Sequence, residues 1–181
     1  RFIPEFSGQR VWSGGGFGAV QSEPALRDIS FRDLLTHTSG LTYGFMQANP
    51  VDAMYREHGI DRLGIDMTSA EFVERLARLP LVAQPGTRWN YSVSIDVLCR
   101  LIEVISGRSY DTFLTERLLR PLGMADTTFN VPADRVGRFS ACYVPGPDGR
   151  PRLYDDPETS NFSGPLKTPY HGALVSTASD Y

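Results

Sequence analysis

Apolar side chains recur at helical spacing in the middle of the chain, and the clearest case begins at a capping signature. Thr68 is followed three residues later by Glu71, a pattern in which each side chain bonds the backbone N–H of the other residue. Charged residues occupy one face of the predicted helix, and Pro80 ends the pattern. The apolar positions share the opposite face: Phe72, Val73, Leu76 and Leu79. The sequence therefore predicts a surface helix with one buried side.

The next helical stretch, which opens near Ser94, is apolar on almost every side. Its apolar positions are Ile95, Val97, Leu98, Leu101, Ile102, Val104 and Ile105. Its polar positions form one narrow stripe: Asp96, Arg100 and Glu103. A helix with so little polar surface is predicted to be the central, buried one, and Gly107 supplies a left-handed stop. Cys99 lies within this stretch and is expected to be a buried free thiol.

Two shorter helices are predicted from their first residues. Ser30, with Asp33 three residues later, opens one of them, and Gly40 stops it. Ser109 opens the other, which Pro121 is expected to interrupt. The inward-facing positions of this second helix are predicted to be Tyr110, Phe113, Leu114 and Leu118.

The remaining stretches are dominated by turn-forming residues. Residues 14–18 hold four glycines without the spacing of a phosphate-binding loop, so a turn or hairpin tip is predicted. Residues 127–169 are rich in Pro, Gly, Asp and Ser, and 147–149 fits a hairpin connection between short strands. Residues 43–66 show no clear helix or strand pattern. Residues 174–180 resemble the capped start of a further helix.

Composition places the chain among soluble globular proteins, with 41% hydrophobic and 22% charged residues. One domain over residues 1–181 is predicted, large enough for a core without disulfides or metals. The net charge of −3 and the scattered arginines argue against nucleic acid as a partner. No apolar run reaches the roughly 20 residues of a transmembrane helix. The histidines have no partner at metal-ligand spacing, so neither a metal nor another cofactor is predicted.

Two common serine-hydrolase signatures are missing from the sequence. No serine has the flanking glycines of the G-x-S-x-G nucleophile motif. The only lysine, Lys167, is preceded three residues earlier by Gly164, so the chain contains no Ser-x-x-Lys pair. Paired carboxylates for sugar hydrolysis stay open, because such pairs meet only in three dimensions.

Four segments nevertheless form a recognisable series along the chain. They are Asp-Leu-Leu-Thr-His-Thr-Ser-Gly-Leu at 33–41, Pro-Gly-Thr-Arg-Trp-Asn-Tyr-Ser-Val at 85–93, Pro-Leu-Gly-Met at 121–124 and Leu-Val-Ser-Thr-Ala-Ser-Asp-Tyr at 174–181. Together they resemble the serine β-lactamase and penicillin-binding-protein-like superfamily, with the closest similarity to family VIII carboxylesterases beside class C β-lactamases. The resemblance implies an α+β fold, of which this chain would be the mostly helical insert region. The N-terminal and C-terminal strands of the sheet would be lacking.

The resemblance assigns site roles to the second segment. Tyr91 takes the position of a catalytic tyrosine that, beside a lysine cation, relays the proton of a serine nucleophile. Judged on the residues alone, Tyr91 would be a core or boundary aromatic. Ser92 and Val93 are predicted to line the substrate site, although Ser92 would serve equally as a helix cap. Val93 stands where lactamases place an asparagine that binds the substrate amide, which favours esters over β-lactams.

Two further matches are predicted to be structural. His37 belongs to a His-Thr-Ser-Gly turn that closes a helix in the family. Lys167-Thr168-Pro169 is similar to the Lys-Thr-Gly motif that closes the family's active site. Pro169 lacks the N–H that a central strand needs, so an ordinary loop is predicted there instead.

The implied activity is hydrolysis of carboxylic esters through a serine acyl-enzyme, in a parent protein of which this chain would be an internal piece. The chain by itself is expected to be inactive, because it holds no Ser-x-x-Lys pair. A β-lactamase, a D-aminoacyl peptidase and a non-catalytic binding module are the alternatives. The expected partner is a small-molecule ester or β-lactam. The sequence fits a soluble protein of the bacterial cytoplasm or periplasm and leaves compartment and oligomeric state open.

Overall fold

Helices make up most of the regular structure, and each of two small sheets is an antiparallel pair of strands. The computed structural model describes residues 2–60, 67–164 and 174–181. The α-helices are α1 (Phe31–Leu35), α2 (Pro50–Glu57), α3 (Ser69–Ala77), α4 (Ser94–Ser106), α5 (Tyr110–Leu114) and α6 (Arg120–Leu122). The strands are β1 (Arg10–Gly14), β2 (Gln21–Pro24), β3 (Cys142–Pro145) and β4 (Pro151–Asp155). Strand β1 pairs with β2, and β3 pairs with β4.

The capping signatures mark helix starts as predicted. Helix α1 begins after Ser30, whose side chain accepts the Asp33 N–H while the Asp33 carboxylate accepts the Ser30 N–H. Helix α3 begins in the same way after Thr68, with Glu71 as its partner. The apolar face of α3 is buried as predicted: Phe72, Val73 and Leu76.

Helix α4 has the predicted bounds but a different orientation. It ends at Gly107, which adopts the left-handed conformation with φ 68°. The prediction of a central, buried helix is wrong for one side of α4, because Ile95, Val104 and Ile105 are exposed, whereas Asp96 of the polar stripe is buried. The helix packs against α1, α3 and α5, and these neighbours decide which side is covered. Hydropathy cannot orient a helix that is apolar on most sides. Cys99 is a buried free thiol as predicted.

The helix that follows Ser109 differs from its prediction at two positions. Residues Thr115–Leu119 form a π-helical turn, so α5 continues through it into α6 and ends at Gly123. Pro121 therefore does not interrupt the helix. A π turn holds one extra residue, which shifts the inward-facing position by one place. Leu118 is exposed, and Leu119 is buried in its stead.

Helix α2 lies in the stretch for which the sequence showed no clear pattern. Asn49 caps it, Pro50 occupies its first turn, and the Asp52 carboxylate completes the capping box. The Asn-Pro-x-Asp pattern was a usable signal for this start. Asp52 is fully buried, and its carboxylate accepts hydrogen bonds from Thr42 Oγ1 at 2.8 Å and from the Ala48 N–H at 2.7 Å. Helix α2 is thereby attached to the segment that follows α1.

Both predicted hairpins are present. The glycines of 14–18 form the tip between β1 and β2, and the 147–149 turn joins β3 to β4. The loop after α3 extends the first hairpin: Trp12 N–H donates to the Leu81 carbonyl at 2.8 Å, and Leu81 N–H donates to the Arg10 carbonyl at 2.8 Å. These bonds attach the N-terminal hairpin to the chain just before the 85–93 segment.

The last described residues show the predicted capping contact. Asp180 N–H donates to Thr177 Oγ1 at 3.3 Å, as in the first turn of a helix. The Asp180 carboxylate accepts the Asp126 N–H at 2.7 Å and the Thr127 hydroxyl at 2.8 Å, which attaches this end to the segment after α6. None of the described helices has the length and apolar character needed to cross a membrane.

Candidate active site

Backbone hydrogen bonds join two of the four recognised segments. We call residues 37–42 the histidine turn and residues 82–93 the tyrosine loop. Four N–H groups of the loop donate to four carbonyls of the turn: Val82 to Gly40 (2.7 Å), Gly86 to Thr38 (2.7 Å), Asn90 to His37 (2.8 Å) and Val93 to Thr42 (3.3 Å). Because backbone groups at such a junction need partners, these bonds hold the two segments in one register.

His37 closes α1, as predicted. Its φ of 53° lies in the left-handed region, which is uncommon for a residue other than glycine. The reversal brings the Thr38 N–H back to the Asp33 carbonyl at 2.8 Å, which pairs a carbonyl of the helix end. The turn also directs the half-buried imidazole towards the tyrosine loop.

Tyr91 lies at the surface between two other rings. Its side chain is 46% exposed. The ring centroid is 4.9 Å from that of His37 and 5.3 Å from that of Tyr43. Phe45 stacks on Tyr43 at 4.8 Å, and Trp89 lies 6.3 Å from His37, so pairwise contacts connect five rings. The Tyr91 side chain is thus half-exposed while its ring contacts two others.

Three residues that support Tyr91 were not predicted to take part in the site. His37 and Tyr43 contact its ring, and Asn90 Nδ2 donates to the Leu41 carbonyl at 2.9 Å, which fixes the preceding residue. The sequence does show aromatic or histidine residues both near the histidine turn and in the tyrosine loop. It does not show that the turn and the loop pair, so contact between these rings could not be predicted.

Ser92 and Val93 lie beneath the surface that Tyr91 occupies. Both side chains are fully buried. The Ser92 hydroxyl contacts His37 Nδ1 at 3.3 Å and Ser94 Oγ at 2.8 Å, and the α4 start has no side-chain cap. Direct contact of either side chain with a substrate therefore stays a prediction. In the described structure these two residues support the site from within.

An ion pair between the half-exposed Arg27 and the buried Asp33 attaches α1 to the segment that precedes it. The Arg27 guanidinium donates to both Asp33 carboxylate oxygens, at 2.6 and 2.9 Å. The hydrogen bond from Arg27 holds the pKa of Asp33 well below its usual range, with further help from Ser30. Gly86 of the tyrosine loop lies directly over this pair, close enough that an added Cβ would collide with Arg27. The ion pair therefore underlies both segments of the site.

Replacing Asp33 by asparagine is expected to lower the free energy of unfolding by about 2 kcal/mol at pH 7, because the buried carboxylate accepts charge-assisted hydrogen bonds from Arg27 and further bonds from Ser30. Since folding lowers the pKa of Asp33, its stabilising effect is present above the unfolded value near 4 and is lost as pH falls below it. Urea unfolding of wild type and Asp33→Asn at pH 7 and pH 3 measures the difference. The exposed Asp134→Asn is the control. A difference that stays constant with pH would contradict this role.

A catalytic role for Tyr91 would require a source of positive charge beside its phenol. Burial lowers the pKa of His37, so its imidazole is neutral at pH 7 and does not supply that charge. Lys167, the rest of the Lys167-Thr168-Pro169 motif and His171 lie outside the described residues. Within the described part of the chain, no group of three or more side chains is arranged to bind a metal ion. Among the described residues, a half-exposed Tyr91 therefore lies against an imidazole that is neutral at pH 7.

A separate cavity of about 520 Å³ lies between the α5–α6 helix and residues 123–130. Its lining includes Asp111, Leu119, Arg120 and Phe129. None of the site residues predicted from the sequence lines it, so it is not part of the site around Tyr91.

Comparison with known proteins gives one family match. The family model described as Beta-lactamase matches residues 11–181. Protein Rv1367c of Mycobacterium tuberculosis is 36% identical over 181 residues, which are all of this chain and 44% of that protein. Esterase EstB of Burkholderia gladioli is 34% identical over 97% of this chain and 40% of its own length.

Solved structures show the same relationship. EstCE1, described as a hydrolase with promiscuous acyltransferase activity, superposes with a TM-score of 0.74 at 26% identity. The match covers 99% of this chain and 48% of EstCE1. The chain thus spans less than half the length of these relatives.

Proposed function

Because this chain belongs to the beta-lactamase family, we propose that it forms part of a serine hydrolase that transfers the acyl group of carboxylic esters through an acyl-enzyme. Its relatives include an esterase and a hydrolase with acyltransferase activity. Tyr91 would be the general base of the reaction. The serine nucleophile and its lysine would lie in sequence other than these 181 residues, which hold no Ser-x-x-Lys pair.

The place of Tyr91 in the family motif at 85–93 is the main support for this proposal. Exposure does not single it out, since Tyr143 and Tyr154 are more exposed, but the half-exposed Tyr91 ring also packs against His37 and Tyr43. Its backbone is nevertheless held closely, since Asn90 and Val93 on either side both bond to the histidine turn. A rigid backbone under an accessible functional group is what a catalytic residue requires.

The proposed reaction has two acyl-transfer steps. The serine oxygen attacks the ester carbonyl carbon while the Tyr91 phenolate accepts the hydroxyl proton. The tetrahedral intermediate then expels the alkoxide, which takes the proton from Tyr91 and leaves as the alcohol. In the second step, water or another alcohol gives its proton to Tyr91 and attacks the acyl carbon. The bond from that carbon to the serine oxygen then breaks, and the serine oxygen takes the proton back from Tyr91, which releases the acid or new ester and restores the phenolate. A neighbouring cation is needed to stabilise the phenolate, whose ordinary pKa is about 10.

The residue type at position 93 supports esters over β-lactams, a role that requires the Val93 side chain, buried among the described residues, to meet the substrate in the complete protein. The family's lactamases place at this position an amide side chain that binds the substrate amide, and valine offers no hydrogen bond. A β-lactam or a D-aminoacyl peptide would leave its amide without that partner. An ester has no such N–H group that needs a partner, so it loses less binding free energy in this site.

A substrate panel on the full-length protein tests the proposal. We expect a chromogenic short-chain ester to give a burst equal in amount to the enzyme, followed by steady turnover. A chromogenic cephalosporin and a D-aminoacyl anilide should react much more slowly. Adding a simple alcohol should divert part of the acyl group from water to that alcohol. Faster turnover of the cephalosporin or the anilide than of the ester would contradict the proposal and identify the protein as a β-lactamase or a D-aminoacyl peptidase instead.

The 181-residue chain by itself provides the matched control. It should show no burst with the ester and no covalent label from a fluorophosphonate probe, because the nucleophile is elsewhere. The full-length protein should be labelled on a single serine. Stoichiometric labelling of a serine within these 181 residues would contradict the proposal.

A further inference from the structure

Three buried serine hydroxyls form a line that ends at His37. Ser39 Oγ accepts the Leu41 N–H at 3.2 Å and lies 2.8 Å from Ser94 Oγ. Ser94 Oγ is in turn 2.8 Å from Ser92 Oγ, which is 3.3 Å from His37 Nδ1. All three serine side chains are fully buried, so water does not compete for these bonds. We call Ser39, Ser94 and Ser92 the serine line.

The direction of the hydrogen bonds along this line follows from its first member. A hydroxyl donates one proton, and the Leu41 N–H can only donate, so Ser39 has to pass its own proton onward to Ser94. Ser94 then donates to Ser92, and Ser92 donates to His37 Nδ1. In the reverse direction the Ser39 proton would face an N–H group, with no acceptor for it among the described residues. Such a buried, unpaired donor costs about 1–3 kcal/mol.

We propose that the serine line holds His37 as the neutral Nε2–H tautomer and that His37, held in this form against the Tyr91 ring, is a positioning residue for Tyr91. Nδ1 must be an acceptor when Ser92 donates to it, so the imidazole proton lies on Nε2. Protonating Nδ1 would require the three hydroxyls to reverse together. The role of His37 in catalysis rests on the proposed function, whereas its tautomer does not.

The neutral form matters because of what Tyr91 has to do. The imidazole lies against the Tyr91 ring at 4.9 Å between centroids, and the His37 carbonyl accepts the Asn90 N–H. A second cation at this distance would stabilise the phenolate further and make it a weaker base. A neutral imidazole supports the ring without adding charge. By keeping His37 neutral, the serine line lets the imidazole position the Tyr91 ring without changing the basicity of its phenolate.

Long-range 1H–15N NMR of the full-length protein at neutral pH tests the tautomer. His37 signals are assigned by their loss in the His37→Asn variant. We expect one neutral species, with the proton on Nε2 and an unprotonated Nδ1. Detection of the Nδ1–H form as the main species in the wild type would overturn the proposal, whatever the enzyme activity.

Ser39→Ala tests the direction of the line from a position three hydrogen bonds away from the imidazole. This variant removes the residue that sets the direction, so we expect both His37 tautomers to appear. Ser160→Ala is the matched control, because Ser160 is also buried, accepts the N–H of the second residue after it at 3.1 Å and donates to a side chain. It should leave the His37 spectrum unchanged. An unchanged spectrum in Ser39→Ala would overturn the assigned direction.

Turnover of Ser92→Ala tests the positioning role. Without its donor to Nδ1 the imidazole is no longer held, and we expect ester turnover to fall about 10- to 100-fold, as for other small misplacements of catalytic groups. Ser160→Ala should retain wild-type turnover. Wild-type turnover in Ser92→Ala, with the tautomer altered, would overturn the role of His37. Lack of ester turnover in the wild type would instead reject the proposed function and leave the tautomer result standing.

Discussion

Replacing Tyr91 by phenylalanine should lower ester turnover of the full-length protein by about 100- to 10,000-fold, the range that general base catalysis contributes. Phenylalanine keeps the ring contacts with His37 and Tyr43 but cannot accept a proton. Because nearly half of the side chain is exposed and only the hydroxyl is removed, the free energy of unfolding should change by no more than about 0.5 kcal/mol. Steady-state kinetics and urea unfolding of the same preparation measure both effects.

The control for this substitution removes a hydroxyl at another exposed tyrosine. Tyr154 in β4 is 71% exposed, and Tyr154→Phe should leave both turnover and stability at wild-type values. A Tyr91→Phe variant with near-normal turnover would identify Tyr91 as a boundary aromatic, which is the reading its residue type alone favoured. The family relationship would be unaffected by that result.

The second large effect is expected on stability, from alanine at Gly40. Gly40 has φ 84°, and an added Cβ would overlap the carbonyl oxygen of Ala83. This oxygen belongs to backbone that is bonded to the histidine turn on both sides, at Val82 and Gly86, so it has little freedom to move. We expect Gly40→Ala to lower the free energy of unfolding by about 3 kcal/mol or more.

Gly107→Ala provides a matched control for Gly40→Ala. Gly107 also has positive φ, 68°, but nothing lies within 4 Å of the position of an added Cβ. Gly107→Ala should therefore lower the free energy of unfolding only through backbone strain, by about 1 kcal/mol. Urea unfolding of both variants in the full-length protein separates strain from collision. Equal losses in the two variants would show that the histidine turn and the tyrosine loop are not held rigidly together.

Local signals in the sequence predicted the boundaries of several elements. The capping boxes at Ser30 and Thr68, the stop at Gly107 and the hairpin turn at 147–149 are all found where they were expected. Each of these features depends on contacts within about five residues. Neighbouring residues in the chain therefore suffice to specify them, whatever the rest of the molecule does.

Burial was predicted less well, because it depends on distant neighbours. Leu118 and Leu119 exchange roles through a π turn that no residue pattern announced. Asp96 of α4 is buried and Ile105 is exposed, because the side of α4 that carries Asp96 packs against other helices. An apolar side chain favours burial, but the position of neighbouring elements decides whether it is buried.

In the candidate site, too, local motifs were predicted from the sequence and contacts between distant residues were not. The family resemblance and the α+β fold class are confirmed, and the resemblance alone identified Tyr91 as the residue to examine. The sequence did not indicate that Ser92 and Val93 are buried or that His37 contacts Tyr91. Both facts depend on the pairing of the histidine turn with the tyrosine loop, and His37 and Tyr91 lie more than 50 positions apart in the chain.

The sequence by itself thus determined the family, the starts of α1 and α3, the stop of α4 and Tyr91 as the candidate base, because motifs and caps lie in contiguous residues. Only the tertiary structure decided that the histidine turn pairs with the tyrosine loop and that three hydroxyls line up behind His37. Hydrogen-bond direction depends on which donors and acceptors meet in the interior, and chain order does not specify that meeting.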